Sequence, residues 1–361
     1  MDDELQSIKL RFSRFAKEHI VGRDLNTLVF PIDLWKNMAQ SGLFAFDESE
    51  RHNGVFLSLS VAAEALVEAG GNMGMALSWM MQRLIAENFI KRFGTTRQQA
   101  SAALSTGTKT FCFAVSEPET GAHPKYLKTT ATISGNHYII NGKKTFLTNG
   151  PIADLFMVVA ITGQIDLRKT FTAFLVPKDT PGVTITPMEL PLLRPAPHGT
   201  LVLENCSVPA ENILGKEGSA FKDMVEPFRD VEDTLMMGIL VGAMQSQLNQ
   251  LVQLNKASHT TDTAGTIGQM CALINVERLL AHTAAKMVDT NARGPELFSL
   301  HLVFKSLANQ FHAQTEEIVP KDSVDTKLST LRNDFHQTIH IAERVARIKQ
   351  QKLGERLLGW E

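Results

Sequence analysis

Apolar positions near the start of the chain recur at spacings of three and four. Leu5, Ile8, Phe12 and Phe15 form a single stripe, which predicts an amphipathic helix. Pro31 stands where a second helix can begin, and Gly42 where it can end. The stretches Leu57–Ala69 and Met73–Phe93 are too uniformly apolar and small for surface helices, so they should pack on each other. The period then changes. Phe111–Val115, Thr129–Ile133, Tyr138–Ile140, Leu155–Ile161, Phe171–Val176, Val183–Thr186 and Leu201–Leu203 are short runs rich in branched and aromatic residues. Turn signals at Ser134-Gly135-Asn136, Asn141-Gly142 and Pro181-Gly182 separate them, which predicts an antiparallel sandwich or barrel. Helical spacing returns in the last third. Leu235–Met244 is apolar on all sides and should be central, and Phe335, Ile339, Ala342 and Ala346 form a late stripe.

Proline sharpens these boundaries. Ten of the 14 prolines lie between Pro118 and Pro209, and proline is expelled from helix interiors. The chain therefore divides into helices over residues 1–109, a β domain over 110–215 and helices over 216–361, an α+β organisation. A length of 361 residues fits two or three domains at about 150 residues each. With 43% hydrophobic and 20% charged residues, the chain is not of the disordered class. A net charge of −2 gives no general attraction to nucleic acid or anionic membrane, and no apolar run approaches the ~20 residues of a spanning helix. The start, Met1-Asp2-Asp3-Glu4, is acidic, unlike a secretory signal. Cys112, Cys206 and Cys271 are far apart and odd in number, which predicts buried thiols in a reducing, cytoplasmic setting.

Several well-known chemical motifs are absent, among them the Gly-x-Gly-x-x-Gly turn, the phosphate loop and Gly-x-Ser-x-Gly. His336 and His340 with Glu343 have helix-face spacing for a metal, but their charged neighbours fit a solvated helix face better, so no metal site is expected. The informative segment is Phe113-Ala114-Val115-Ser116-Glu117-Pro118-Glu119-Thr120-Gly121. It is followed, 25 residues after Ser116, by Asn141-Gly142-Lys143-Lys144-Thr145-Phe146-Leu147-Thr148-Asn149-Gly150. Each offers a hydroxyl and backbone groups at a strand end beside an aromatic, which suits a flat polar heterocycle; two ordinary hairpins would look the same.

Together with Phe30-Pro31-x-x-Leu34-Trp35, Ser41-Gly42-Leu43, Phe93-Gly94-Thr95, Pro181-Gly182-Val183 and Val208-Pro209-Ala210-Glu211-Asn212-Ile213-Leu214-Gly215, these segments resemble the acyl-CoA dehydrogenases in order and spacing. The resemblance covers most of the first 245 residues. It implies a helical N-terminal domain, a middle β-barrel and a C-terminal four-helix bundle, with FAD as cofactor. It further implies that Phe113, Val115 and Ser116 line the flavin, that Phe146 replaces the usual tryptophan on the flavin face, and that Thr148 lies at flavin N5.

The family removes an α-proton with a carboxylate while the β-hydride passes to flavin N5. Most members carry that carboxylate in a late Glu-Gly-Thr loop, which this chain lacks; its one Glu-Gly is Glu217-Gly218. A minority carry it in an Asp-x-Glu-Arg segment opening the bundle, where this chain has Asp230-Val231-Glu232-Asp233. The resemblance therefore points to Glu232 as base and Asp230 as a contact to the pantetheine arm of an acyl-CoA or acyl-carrier thioester. The alternative is that Glu226, Asp230, Glu232 and Asp233 complement the positive end of a helix. Departures are Gly121-Ala122-His123 for Gly-Ser-Asp, Asp233 for arginine, and two unmatched stretches: Asn255–Thr261, where the family contacts the FAD phosphates across a subunit boundary, and Gln314–Thr330, where the family runs near the adenine. Besides a dehydrogenase, a non-catalytic scaffold and a flavin monooxygenase on the same fold remain open. The apolar bundle predicts a homodimer or homotetramer.

Overall fold

The computed structural model describes residues 3–45, 54–102, 107–256, 260–320, 326–341 and 343–360. The first helices are α1 (Asp3–His19), α2 (Ile32–Gln40), α3 (Val55–Gly70) and α4 (Met73–Leu84). Helix α4 runs on through a π-helical stretch, Ile85–Ile90, into α5 (Lys91–Phe93), and α6 (Thr96–Ala102) follows. The strands are β1 (Phe111–Ala114), β2 (Thr130–Ser134), β3 (His137–Thr148), β4 (Leu155–Ile165), β5 (Arg168–Pro177), β6 (Val183–Met188), β7 (His198–Pro209) and β8 (Ile213–Leu214). A second π stretch, Phe221–Val225, leads into α7 (Glu226–Leu254). Helices α8 (Thr261–Asp289), α9 (Pro295–Ile318), α10 (Thr326–His340) and α11 (Glu343–Leu357) complete the chain.

The fold has two compact units. One comprises Met1–Gly22, Glu50–Met73 and Asp233–Glu361, and the other Arg23–Ser49 and Gly74–Glu232. In the helical unit the expected α1 stripe is buried: Leu5, Ile8, Phe12 and Phe15 all face inward. Helix α3 is buried on every side from Leu57 to Val67. Its N-terminal N–H groups are met by a carboxylate from the end of α8. Phe56 N donates to Asp289 Oδ1 at 2.9 Å and Leu57 N to Oδ2 at 3.0 Å, so an anion sits on a helix N-terminus. Two glycines let α7 approach α3 closely. A Cβ at Gly238 would lie 2.6 Å from the Ser60 carbonyl oxygen, and one at Gly242 2.4 Å from that of Glu64. Helix α7 is central, as its apolar run implies, with Leu235, Ile239, Leu240, Val241, Ala243 and Met244 buried.

In the other unit all eight strands form one sheet in the order β6-β7-β3-β2-β4-β5-β8, with β1 beside β4. Its two faces bury different cores. On β1 and β4, Cys112, Ala114, Phe156, Val158 and Ala160 pack with Tyr138, Ile140, Leu201 and Leu203 from the sheet itself. The alternate residues Phe111, Phe113, Met157 and Val159 pack against Ile85, Phe89 and Ile90 of the first π stretch and Met224 of the second. The strict alternation follows from the pleat.

The structure corrects several expectations. The sheet is not purely antiparallel, since β1 and β2 both pair parallel to β4. Asn141-Gly142 is not a turn but a bulge inside β3, where the register on β7 shifts between Ile140 and Gly142. Glycine is needed there because a Cβ would lie 2.4 Å from Thr129 Oγ1. Cys271 is exposed, whereas Cys112 and Cys206 are buried. The 100° step per helical residue carries Cys271 away from the inward side on which its neighbour Met270 lies. The late stripe is not continuous: α10 ends at His340, Ala342 lies outside the described residues and α11 starts at Glu343. Met1, Asp2, Asp322 and Asp325 also lie outside them.

Candidate functional site

The loop after β1 is closed on itself. Glu117 N donates to Gly121 O at 2.9 Å, and Gly121 N to Glu117 O at 3.0 Å. The loop is then tied to β3. Thr145 N donates to Ser116 O at 2.8 Å, and the Lys144 ammonium donates to Val115 O at 3.0 Å and to Glu117 Oε1 at 2.9 Å. Lys144 is fully buried and Glu117 nearly so. Glu117 also accepts from Thr129 Oγ1 at 2.6 Å, Thr129 N at 3.0 Å and Lys128 N at 2.7 Å. Burial acts to raise this carboxyl, but the Lys144 charge and these donors outweigh it and hold it below the ordinary glutamate value. Burial presses Lys144 down to about 8.

This clamp brings Ser116 to the strand that carries Phe146 and Thr148. The pairing of β3 with β7 slips between Lys144 and Leu147, and the irregularity turns Phe146 outward. Phe146 has φ +57° and is 61% exposed. A bulky side chain in left-handed backbone is costly, and an aromatic face left in solvent adds to that cost. Ser116 and Thr148 are half-buried beside it. Thr148 Oγ1 lies 3.2 Å from His198 Nε2, and His198 Nδ1 lies 3.0 Å from Ala196 O. Burial lowers the His198 pKa, with the Ala196 carbonyl acting in the opposite direction.

Phe113 and Val115 are buried behind this edge. The Phe113 ring packs 4.7 Å from Phe89 and 4.7 Å from Phe228, centroid to centroid. Phe228 lies early in α7, so this aromatic contact ties β1 to the turns bearing Asp230 and Glu232, both half-buried. The helix does not begin at Glu226. It continues from the π stretch at Phe221, which places Asp230 and Glu232 well beyond the first turn. Macrodipole complementarity fades within that turn and does not account for them.

The residues present fit the ring end of a flavin: one exposed aromatic face, two hydroxyls and strand-end backbone within a single rigid clamp. The altered Asn255–Thr261 stretch belongs to the helical unit. Residues 257–259 lie outside the described residues, and Lys256 is exposed. A hollow of about 580 Å³ beside Asn255 is lined by Asp262 and Glu317 and, among the described residues, by no basic side chain. Among the described residues no cluster of three His, Cys, Asp or Glu could hold a metal. Glu343 instead pairs with Arg347 at 2.5 Å. No pattern in the sequence signals the Glu117–Lys144 pair, the packing of Phe89 and Phe228 on Phe113, or His198.

Residues 2–103 match the model of the acyl-CoA dehydrogenase N-terminal domain and residues 112–206 that of the middle domain. The short-chain specific acyl-CoA dehydrogenase of Clostridium acetobutylicum is 33% identical over 198 residues, 53% of this chain and 52% of that one, so the match spans about half the length of that relative. The mitochondrial short-chain enzyme of Rattus norvegicus is 30% identical over 297 residues, 77% of this chain and 68% of its own. The fold resembles butyryl-CoA dehydrogenase from Megasphaera elsdenii, with a TM-score of 0.86 at 24% identity over 99% of both chains. It also resembles a prolyl acyl carrier protein oxidase, with a TM-score of 0.84 at 24% identity over 98% of this chain and 99% of that one. No helix among the described residues is long and apolar enough to cross a membrane. Two consecutive family domains in sequence, and an alignment that takes in more than two thirds of the rat enzyme, make this chain a member of the acyl-CoA dehydrogenase family.

Proposed function

We propose that the protein is a FAD-dependent acyl-thioester α,β-dehydrogenase in which Glu232 accepts the α-proton. The observation that carries this reading is Phe146, held at φ +57° and exposed beside Ser116 and Thr148. A chain that served only as a scaffold would have no use for a strained, solvent-facing ring on the strand segment that the clamp ties to Ser116. FAD bound there would supply the acceptor for the β-hydride. Phe146 would cover one face of the ring system, Ser116 and Thr148 would line its edge, and Phe113 and Val115 would back it. Glu232 takes the proton on the other side of the substrate, and Asp230 accepts a hydrogen bond from an amide of the pantetheine arm. The aromatic group of Phe89, Phe113 and Phe228 keeps water from behind the site. The carrier is CoA or an acyl-carrier protein, the setting is cytoplasmic, and the assembly is a homodimer or homotetramer.

A second reading, a non-catalytic relative, is favoured by Asp233 and by the acid-lined hollow beside the altered stretch. One set of measurements separates the two. Purified protein is incubated with excess FAD, and flavin occupancy and mass are read together by size exclusion with light scattering. A flavin band on an oligomer, bleached anaerobically by an acyl thioester, is the expected result. Glu232→Gln should then slow that bleaching by at least ~10²-fold while substrate still binds. Protein that stays colourless is the scaffold. A variant that bleaches at the parent rate places the base elsewhere.

A further inference from the structure

The Thr148–His198 contact has a defined direction. A carbonyl oxygen only accepts, so the 3.0 Å contact to Ala196 O requires a hydrogen on His198 Nδ1. In a neutral imidazole the other nitrogen is then bare, and only the Thr148 hydroxyl can supply the hydrogen for the 3.2 Å contact at Nε2. The ring is 8% exposed, and its burial favours the neutral form. A hydroxyl has one hydrogen. With that hydrogen spent on His198, Thr148 presents oxygen lone pairs to whatever lies beyond β3.

We propose that His198 is a positioning residue that turns the Thr148 hydroxyl away from the flavin, so that Thr148 acts as an acceptor and favours the reduced cofactor. The inference rests on the reading above that Thr148 faces flavin N5. Oxidised N5 carries a lone pair and needs a donor. Reduction adds a hydride, two electrons and one proton taken from the substrate β-carbon, and N5 becomes an N–H donor. The orientation fixed by His198 therefore matches the reduced state. To serve the oxidised state Thr148 must give up its bond to Nε2, and a buried imidazole nitrogen is then left unpaired.

The decisive experiment compares flavin midpoint potentials of the parent, His198→Phe, Thr148→Val and the double variant. Phenylalanine keeps a ring and removes both nitrogens, which frees the Thr148 hydroxyl to donate to oxidised N5. The preference for reduced over oxidised flavin should fall about three- to tenfold, which is roughly 15–30 mV for a two-electron couple. In the Thr148→Val background the same change at 198 should have no effect. An unchanged potential, or a shift that persists without the Thr148 hydroxyl, overturns the proposal. Protein that takes up no flavin in any form overturns the functional reading instead. A readout on the unaltered chain guards against a variant that does not fold: in ¹⁵N-histidine spectra of the cofactor-free protein, His198 should carry its hydrogen on Nδ1. The opposite tautomer, or a protonated ring at pH 7, also overturns the proposal.

Discussion

Glu277 lies on α8 at 0% exposure, and neither carboxyl oxygen has a hydrogen-bond partner among the described residues. A charged carboxylate in such a place is strongly disfavoured, and burial pushes the Glu277 pKa from 4.5 up to about 9. Between those two values the folded protein keeps the proton while the unfolded chain has lost it. Stability from this group is therefore fully present below pH 4.5 and drains away as the pH rises towards 9. The slope is about 1.4 kcal/mol per pH unit, or about 2.7 kcal/mol between pH 6 and pH 8. Glu277→Gln keeps the shape and removes the titration. The assay is urea unfolding of both proteins at pH 6, 7 and 8, with the difference in slope assigned to Glu277. The variant should become the more stable of the two by a few kcal/mol at pH 8. Difference infrared spectra at pH 7 should also show a neutral carboxylic C=O band that Glu277→Gln lacks. Parallel pH slopes, or no such band, would mean that the carboxyl is ionised or paired and would refute the argument.

Two further substitutions test the scaffold of the site and of the bundle. Lys144→Met leaves Glu117 buried with three donors in place of four, and removing one partner of a buried pair costs about 3–5 kcal/mol. Urea unfolding should show this loss together with weaker flavin uptake, and a loss under about 1 kcal/mol would mean the pair is solvated and exposed pairs are its proper comparison. Gly238→Ala puts a methyl group 2.6 Å from the Ser60 carbonyl oxygen, an overpacking that costs about 1–3 kcal/mol. Thermal unfolding checks it, and an unchanged midpoint would show that α7 and α3 separate freely.

Local pattern carried much of this protein. The α1 stripe, the seven expected strand runs, the capping glycine after α2 and the central character of α7 all follow from backbone periodicity and from residues with narrow conformational preferences. Gly42, with φ +69° just past α2, is where a helix can stop and a side chain cannot easily follow. The order of short motifs identified the family for the same reason, since each marks a turn or strand end that needs those residues. What decided the chemistry was the stacking of elements. Glu117 and Lys144 are 27 residues apart, Thr148 and His198 are 50, and Glu64 and Arg278 are 214. In sequence Glu277, between Val276 and Arg278, looks like any exposed acid on a charged helix. Only packing removes its water, and the loss of that water makes it a different acid. Cys271 differs in the opposite sense: cysteine number and spacing predict a buried thiol, but they do not say which side of a helix its neighbours will cover, and Cys271 is exposed. A residue's type and spacing set the backbone it favours, whereas its charge state, partners and reactivity depend on what tertiary packing places against it.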